Sequence, residues 1–409
     1  MFRLCLSCAL CALIAVPPLA ARAQGDEEIL TLRQAEQLAL EQSPWIKHHA
    51  TSKDAAAERA VYEGSLPDPQ LTVGAVNVPT DTWKLNQEDM TMTQVGVRQA
   101  FPPGDTLALR SQRATLESAR EHARLDVERR ALTREVRKIY LDLYFAERAL
   151  GILQTTHAIL ARDVKDTEAR HRAAQETERA VLRARQNLAR LAEREPMLRA
   201  EVVRTRTKLA RYLGAAANLP LPADLPQLPD VPAAFNADDH PDLLAAQANV
   251  EAARAEVDVQ RQEYRPGYML DVMYGFRQQR SDMMTALVSV DLPIFRQKRQ
   301  DRKLAEKQTM QAAATYEKED KRREVAALHE TARAGFEAAK ARAQILSEQL
   351  LPAIRRETQG RLAGFAREQT ELREARMKEL EAELDLLRAH VDGALAQAEL
   401  LYFTGENPS

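Results

Sequence analysis

The chain has 409 residues and carries 58 Lys and Arg against 60 Asp and Glu, a formal net charge of -2. Aromatic residues make up only 5% and glycines number 14, which excludes one wide core and favours long helices rich in Ala, Leu, Glu and Arg. Arg and Glu are interspersed rather than blocked, so no basic face for nucleic acid stands out.

The opening stretch, MFRLCLSCALCALIAVPPLAARAQGDEE, has one early cation (Arg3), an apolar run from Leu4 to Val16, a Pro17-Pro18 break and Ala21-Arg22-Ala23. This pattern predicts a secretory signal over residues 1–23, since the prolines cut the run short of the ~20 apolar residues that a membrane helix needs. Cys5, Cys8 and Cys11 all lie inside it, so a mature chain has no disulfide, no thiolate metal site and no cysteine nucleophile. None of the three ends the apolar run behind small residues, where a lipid-bearing cysteine would stand.

Ser43-Pro44-Trp45-Ile46 opens a helix with proline in its first turn. LPDPQLTVG, Leu66 to Gly74, then announces a strand, and in Thr93 to Phe101 the alternation of Val95, Val97 and Phe101 announces a second. After Pro102, Pro103 and Gly104 the alternation stops, and Asp105 to Arg172 have helical spacing. Val136, Leu143, Leu150 and Val164 fall on one heptad position, and Leu132, Ile139, Ala146, Leu153 and Leu160 on a second. The seam predicts a coiled-coil rod about 100 Å long. His157 sits in that seam as a packing residue. Helical character lapses at RAAQETE, Arg172 to Glu178, and resumes as far as Leu213.

NLPLPADLPQLPDVPAAFNADDHP, Asn218 to Pro241, is proline-rich and aperiodic, and is expected to be an extended connector that contributes nothing to a core. Beyond it the order repeats. His240-Pro241 opens a helix, RPGYMLDVMYG (Arg265 to Gly275) and the stretch to Val290 give two strands, and a long helix runs out to RLAGFAREQTE (Arg361 to Glu371) before a shorter one returns to Tyr402. Gly364 suits the reversal, and Pro352 should kink the outgoing helix. The chain thus divides into a first unit over 24–213, a connector over 214–239 and a second unit over 240–409, two copies of one module.

The strands, about nine to eleven residues each, have the length of tilted membrane strands. Four cannot close a barrel, and an open edge in hydrocarbon leaves backbone groups unpaired, so other copies must complete them. Three copies give an even, twelve-stranded barrel in an outer membrane, with the helices hanging into the periplasm. The fold class read from the sequence is therefore mainly α with a small β part.

The duplicated order of helix, strand pair, long helix, tip and returning helix, with SPWI, LPDPQLTVGAVNVP, VRQAFPPG and AGFAREQTELREAR, resembles the TolC family of outer-membrane efflux channels. PDPQLTVGAVNVPTD and QAFPPG resemble its CzcC-like and CusC-like cation-efflux branch. The resemblance implies a homotrimer in outer-membrane lipid, a periplasmic adaptor (membrane fusion protein) meeting the helix tips, and an inner-membrane pump, with heavy-metal cations as a plausible cargo. On this reading the adaptor-contact tips are Ala173, Ala174, Gln175, Glu176 and Thr177 in one copy and Ala363, Gly364, Phe365 and Ala366 in the other.

Strand parity sorts the barrel walls. Val95, Val97, Leu270, Val272, Tyr274, Phe276, Ala286, Val288 and Val290 are expected to face lipid. The inward parity collects Gln94, Arg98, Asp271, Arg277, Thr285, Ser289 and Asp291 together with Met90, Met92, Met269, Met273 and Met283. Thioethers are soft ligands suited to Cu(I) or Ag(I), although methionines also simply fill irregular walls. No firm metal site and no cofactor is expected.

No catalytic constellation is present. His48 and His49 are adjacent and diverge by about 100° on a helix, no HxxxH pair exists, and the carboxylates follow solvated helical faces. The rival reading is a periplasmic coiled-coil adaptor or scaffold, which explains the heptads but not paired amphipathic strands at equivalent places in both copies.

Overall fold

The computed structural model describes residues 29–363 and 369–405. The predicted signal and Gly364, Phe365 and Ala366 lie outside the described residues.

A helix that the sequence reading passed over comes first: α1, Leu32–Gln42. Thr31 caps it by accepting from the Gln34 N–H, and the Gln34 side chain accepts in return from the Thr31 N–H at 2.9 Å, a reciprocal capping box. Ser43 ends α1 and caps α2, Pro44–Glu63, whose first residue is the proline that needs no donor. Strands β1 (Gln70–Val76) and β2 (Met92–Phe101) follow, then α3, Thr106–Arg172, and α4, Glu178–Leu213. After the connector come α5, Pro241–Gln262, then β3 (Tyr268–Phe276), β4 (Met283–Val290) and α6, Gln300–Ile345. A π-helical turn, Leu346–Leu350, joins α6 to α7, Leu351–Ala363, and α8, Gln369–Thr404, returns.

β2 and β3, at 10 and 9 residues, have the expected length, whereas β1 and β4 are shorter at 7 and 8, and in β1 Pro67 and Pro69 delay the strand until Gln70. They form one antiparallel sheet in the order β1-β2-β3-β4. The middle pairing, β2 with β3, joins the two copies, and β1 and β4 are left as open edges.

The helices repeat the strand order. In the half of α3 next to the sheet, α2 lies on one side and α5 on the other, with α6 beyond α5; in the far half the neighbours of α3 are α4 and α8. Arg113 of α3 ties both copies together beneath the sheet, donating to Glu63 of α2 at 2.6 Å and to Glu256 of α5 at 2.5 Å. Gly104 makes the strand-to-rod corner. It has φ +55°, and a Cβ there would strike the side chains of Gln262 and Arg265, so a side chain is excluded twice over.

The heptad seam of α3 is where the core lies. Val136, Ile139, Tyr140 and Leu143 pack with Leu32, Ala35 and Ala39 of α1 and with Leu209 and Leu213 of α4. Farther along, Leu153 and Leu160 meet Leu191 of α4 and Leu380 of α8. His157 is half-buried.

The connector differs from its expectation. It has no regular structure beyond single 3-10 turns, yet it is part of the core. Leu221, Leu225 and Leu228 pack on Leu141, Tyr144 and Val391, and Phe235 stacks on His329 with ring centroids 3.7 Å apart. Its backbone carbonyls accept from Tyr144, Arg148 and Gln397, so helix side chains satisfy the polar groups that proline-rich backbone cannot pair with itself.

Pro352 acts through the π-turn. The Leu351 N–H bonds the Leu346 carbonyl, five residues back, and this wider turn accommodates a ring that would otherwise clash with a carbonyl four residues earlier.

Candidate functional site

The sheet has two chemically distinct faces, and its register assigns them. Opposed residues share a face, so Arg98 with Asp271, Gln94 with Gly275, Met273 with Thr285 and Met269 with Ser289 define one side. Thr72 opposite Gly96 and Gln70 opposite Arg98 extend that side onto β1. Arg98 Nε lies 2.5 Å from Asp271 Oδ1, and the carboxylate is 4% exposed, so a buried charge is paired directly across two strands. The other side carries Leu71, Val73, Val95, Val97, Leu270, Val272, Tyr274, Phe276, Ala286, Val288 and Val290. Leu71 is 71% exposed and Val288 62%, an apolar surface that water does not tolerate at this size.

Aromatic pairs mark both ends of that surface. Phe101 and Tyr268 stack at 4.9 Å at the helix end, and Tyr274 and Phe276 meet edge-on at 4.7 Å at the loop end. An apolar band between two aromatic girdles is the pattern of a membrane-spanning β wall.

The structure places Met92, Met269, Met273 and Met283 on the polar face and Met90 in the turn just before β2. Two of them fill notches. A Cβ on Gly96 would collide with the Met273 side chain, and one on Gly275 would lie 2.7 Å from Met92 Sδ, so each methionine lies flat over a glycine of the adjoining strand. Met92 is only 6% exposed. Among the described residues no group of three or more His, Cys, Asp or Glu side chains is placed to hold a metal ion.

Beyond the strands the two loops are tied together. Arg280 pairs with Asp89, and Arg277 donates to the Asp89 carbonyl at 3.1 Å.

At the opposite end, the turn between α3 and α4 is compact. Ala174 has φ 57°, the Gln175 N–H donates to the Arg170 carbonyl at 2.9 Å, and His171 Nδ1 lies 2.9 Å from the Glu176 carbonyl. Thr177 caps α4 through the Ala180 N–H. Ala173 through Thr177 are thus one turn, and Ala363 is the last residue of α7.

One feature of this end escaped sequence reasoning. Arg373 of α8, in a stretch that reads as solvated charge, is 2% exposed and donates to Asp163 and to Thr167 of α3, each at 2.5 Å. Asp163 and Thr167 are four apart on a helix and Arg373 sits in the first turns of another, and nothing in one dimension signals that they meet.

A duplicated strand-pair and helical-rod unit, with an amphipathic sheet at one end and a helical turn at the other, defines an outer-membrane channel of the TolC type. The chain belongs to the outer membrane efflux protein family, whose description matches residues 35–215 and 237–406. That is a family of channels and not of enzymes. No curated protein is significantly similar in sequence. Among solved structures, CusC matches with a TM-score of 0.79 at 16% identity, covering 98% of this chain and 99% of that one. VceC of Vibrio cholerae matches with a TM-score of 0.76 at 16% identity, over 92% and 97%. The open state of MtrE of Neisseria gonorrhoeae matches with a TM-score of 0.75 at 20% identity, over 92% and 89%. At such identities these likenesses establish the fold.

Proposed function

We propose that three copies of this chain form the outer-membrane conduit of a tripartite, RND-type efflux system, with the barrel in the outer membrane and the helical rods in the periplasm. The observation that carries this is the sheet with a polar face, an apolar face and two open edges, since unpaired strand edges are untenable in hydrocarbon. The helical layer supports it with open flanks of its own. Leu182 and Val203 on α4, and Leu328 and Ile345 on α6, are 47 to 65% exposed apolar residues along its two sides. Native mass measurement in detergent should return three chains; a membrane-inserted monomer would contradict the reading.

The polar sheet face is the lumen wall on this reading, and the turn at Ala173 to Thr177 and the segment from Ala363 to Ala366 meet the adaptor. The alternative, a periplasmic adaptor or scaffold, predicts release from membranes by salt and carbonate, whereas a barrel resists both. For cargo we propose soft heavy-metal cations passing Met90, Met92, Met269, Met273 and Met283, supported by the shared face of the last four and by the affinity of thioethers for Cu(I) and Ag(I). Packing of Met92 and Met273 over glycines supplies a second reading, in which they only fill the wall. Replacing all five with leucine separates the two: copper and silver tolerance falls if thioethers guide the metal, and stays if they only pack. Resistance profiling of a deletion strain against metals and drugs identifies the cargo class directly.

A further inference from the structure

The apolar face of the sheet continues past the end of β4. The Asp291 N–H donates to the Gly267 carbonyl at 2.9 Å, one residue beyond the ladder, so Leu292 keeps the parity of Val288 and Val290. Leu292, Ile294 and Phe295 are each 67 to 72% exposed, just beyond Val290, which stands opposite Tyr268 of the helix-end girdle. A 3-10 turn, Arg296–Lys298, follows at once and leads into α6. It opens a basic stretch, with Arg296, Lys298, Arg299 and Arg302 all exposed. The chain makes little use of these cations itself. Arg296 donates to the Pro293 carbonyl at 3.1 Å and pairs with no carboxylate among the described residues, and Lys298 and Arg302 have no side-chain hydrogen bond or ion pair there. Arg299 acts on Glu263 only at a distance, since that carboxylate is paired with Lys303 at 2.9 Å. The one acid inside the stretch, Asp301, accepts from the Tyr264 hydroxyl.

The duplication supplies an internal comparison. Setting Pro293 opposite Pro102 aligns the two strand-to-helix corners, and the four basic positions then stand against Asp105, Leu107, Ala108 and Ser111. A charge needed to build the corner would appear in both copies, and this one appears only in the second. The chemistry on offer is double. Exposed apolar side chains that prolong a membrane face call for hydrocarbon, and the cations that follow call for an anion. A headgroup layer is roughly 5–8 Å deep, and a turn rising about 2 Å per residue keeps Arg296 to Arg299 within that depth of Phe295. Arg302, one helical turn farther, reaches back along its own aliphatic stem. A lipid with a net negative headgroup supplies hydrocarbon and anion in one molecule, whereas a soluble anion supplies only the second. We propose that the β4–α6 corner binds anionic phospholipid of the leaflet on the helical side, with acyl chains along Leu292, Ile294 and Phe295 and the phosphate on Arg296, Lys298, Arg299 and Arg302. The proposal rests on the reading that the apolar sheet face meets lipid.

The test uses the whole protein in detergent, with phosphatidylglycerol and phosphatidylcholine of identical acyl chains as probes and native mass measurement to count the lipids retained. Phosphatidylglycerol should be retained at least about fivefold more than phosphatidylcholine, the effect of a single cation at an anionic membrane surface. That preference should shrink as salt rises. R296Q/K298Q/R299Q/R302Q should abolish it, while R296K/R299K/R302K, which keeps every charge, should retain it. Equal retention of the two lipids overturns the proposal, as does an unchanged preference in the glutamine variant. Displacement of phosphatidylglycerol by water-soluble glycerol 3-phosphate, at concentrations too low to act through ionic strength, would mark a small-anion site and overturn it too. Dissociation of the glutamine variant into single chains before either lipid is added would assign the cations to contact between copies and overturn the lipid. Val97→Lys separates this proposal from its premise: if that variant assembles in membranes normally, the premise falls and takes the proposal with it. If Val97→Lys fails to assemble and the glutamine variant keeps its lipid preference, only the corner site is wrong.

Discussion

His240 shows how one residue can do local work that sets a condition on the whole. Its Nδ1 accepts from the Asp242 N–H at 3.3 Å, capping α5, while its ring is 1% exposed against Tyr402 and Phe403. Burial pushes its pKa below the ordinary histidine value, Asp242 pulls the other way, and Arg130 and Lys321 lower it further. The folded state therefore holds the ring neutral where the unfolded chain takes a proton. Stability is complete above about pH 6.5 and declines as pH falls from there towards the depressed folded value. Thermal unfolding between about pH 7.5 and pH 5 should show that decline, and His240→Asn, which retains a capping acceptor, should flatten it. Arg373→Ala tests the other buried cation. It strands Asp163, whose side chain is 12% exposed, and should cost about 3–5 kcal/mol, read as early loss of helical signal on denaturation with the barrel end retained. Tyr140→Phe is milder. It deletes only the 2.7 Å bond from the hydroxyl to the Leu30 carbonyl and should cost about 1 kcal/mol.

At the scale of elements, the sheet makes the sharpest demand, because a change of one residue in parity exchanges lipid for water. Val97 and Gln94 lie on opposite faces of β2, three residues apart. Val97→Lys should impair membrane assembly by about 2–4 kcal/mol, whereas Gln94→Lys should leave it intact; heat-resistant oligomer on gels reads the difference. If both substitutions were tolerated, the apolar face would not be meeting lipid. Parity was legible in the sequence because strand periodicity is local. The seam of α3 was legible for the same reason. The role of the connector was not, since its leucines follow no period and find their places only against Tyr144 and Val391, which are distant in sequence. Nor was α1, a helix of 11 residues too short to display a convincing stripe beside its neighbour.

For the molecule as a whole, the recurring motif is incompleteness: strand edges at β1 and β4, and apolar flanks on α4 and α6, all at the lateral limits of one chain. A complement of copies that pairs β4 with the next β1 should protect both edges together. Hydrogen exchange of the assembled protein in detergent should therefore show β1 and β4 amides as slow as those of β2, and fast exchange confined to the two edges would mean that no copy covers them.

By itself the sequence determined much that depends on periodicity and on short-range chemistry: the duplicated order, the strand-to-helix corner at Pro102-Pro103-Gly104, the heptad rod, the turn at Ala173 to Thr177 and the two faces of β2, β3 and β4. Hydrophobic alternation and capping act over a few residues and can be read in one dimension. Tertiary structure alone decided that the connector is a packed strap, that Pro352 is absorbed by a π-turn, that Met92 and Met273 rest on glycines, and that Arg373 is buried. Those outcomes depend on which side chains from distant segments arrive at one place. A charged residue on a helix reads the same in sequence whether its neighbour is water, a carboxylate or another cation, and only the packing of α3, α4 and α8 distinguishes them.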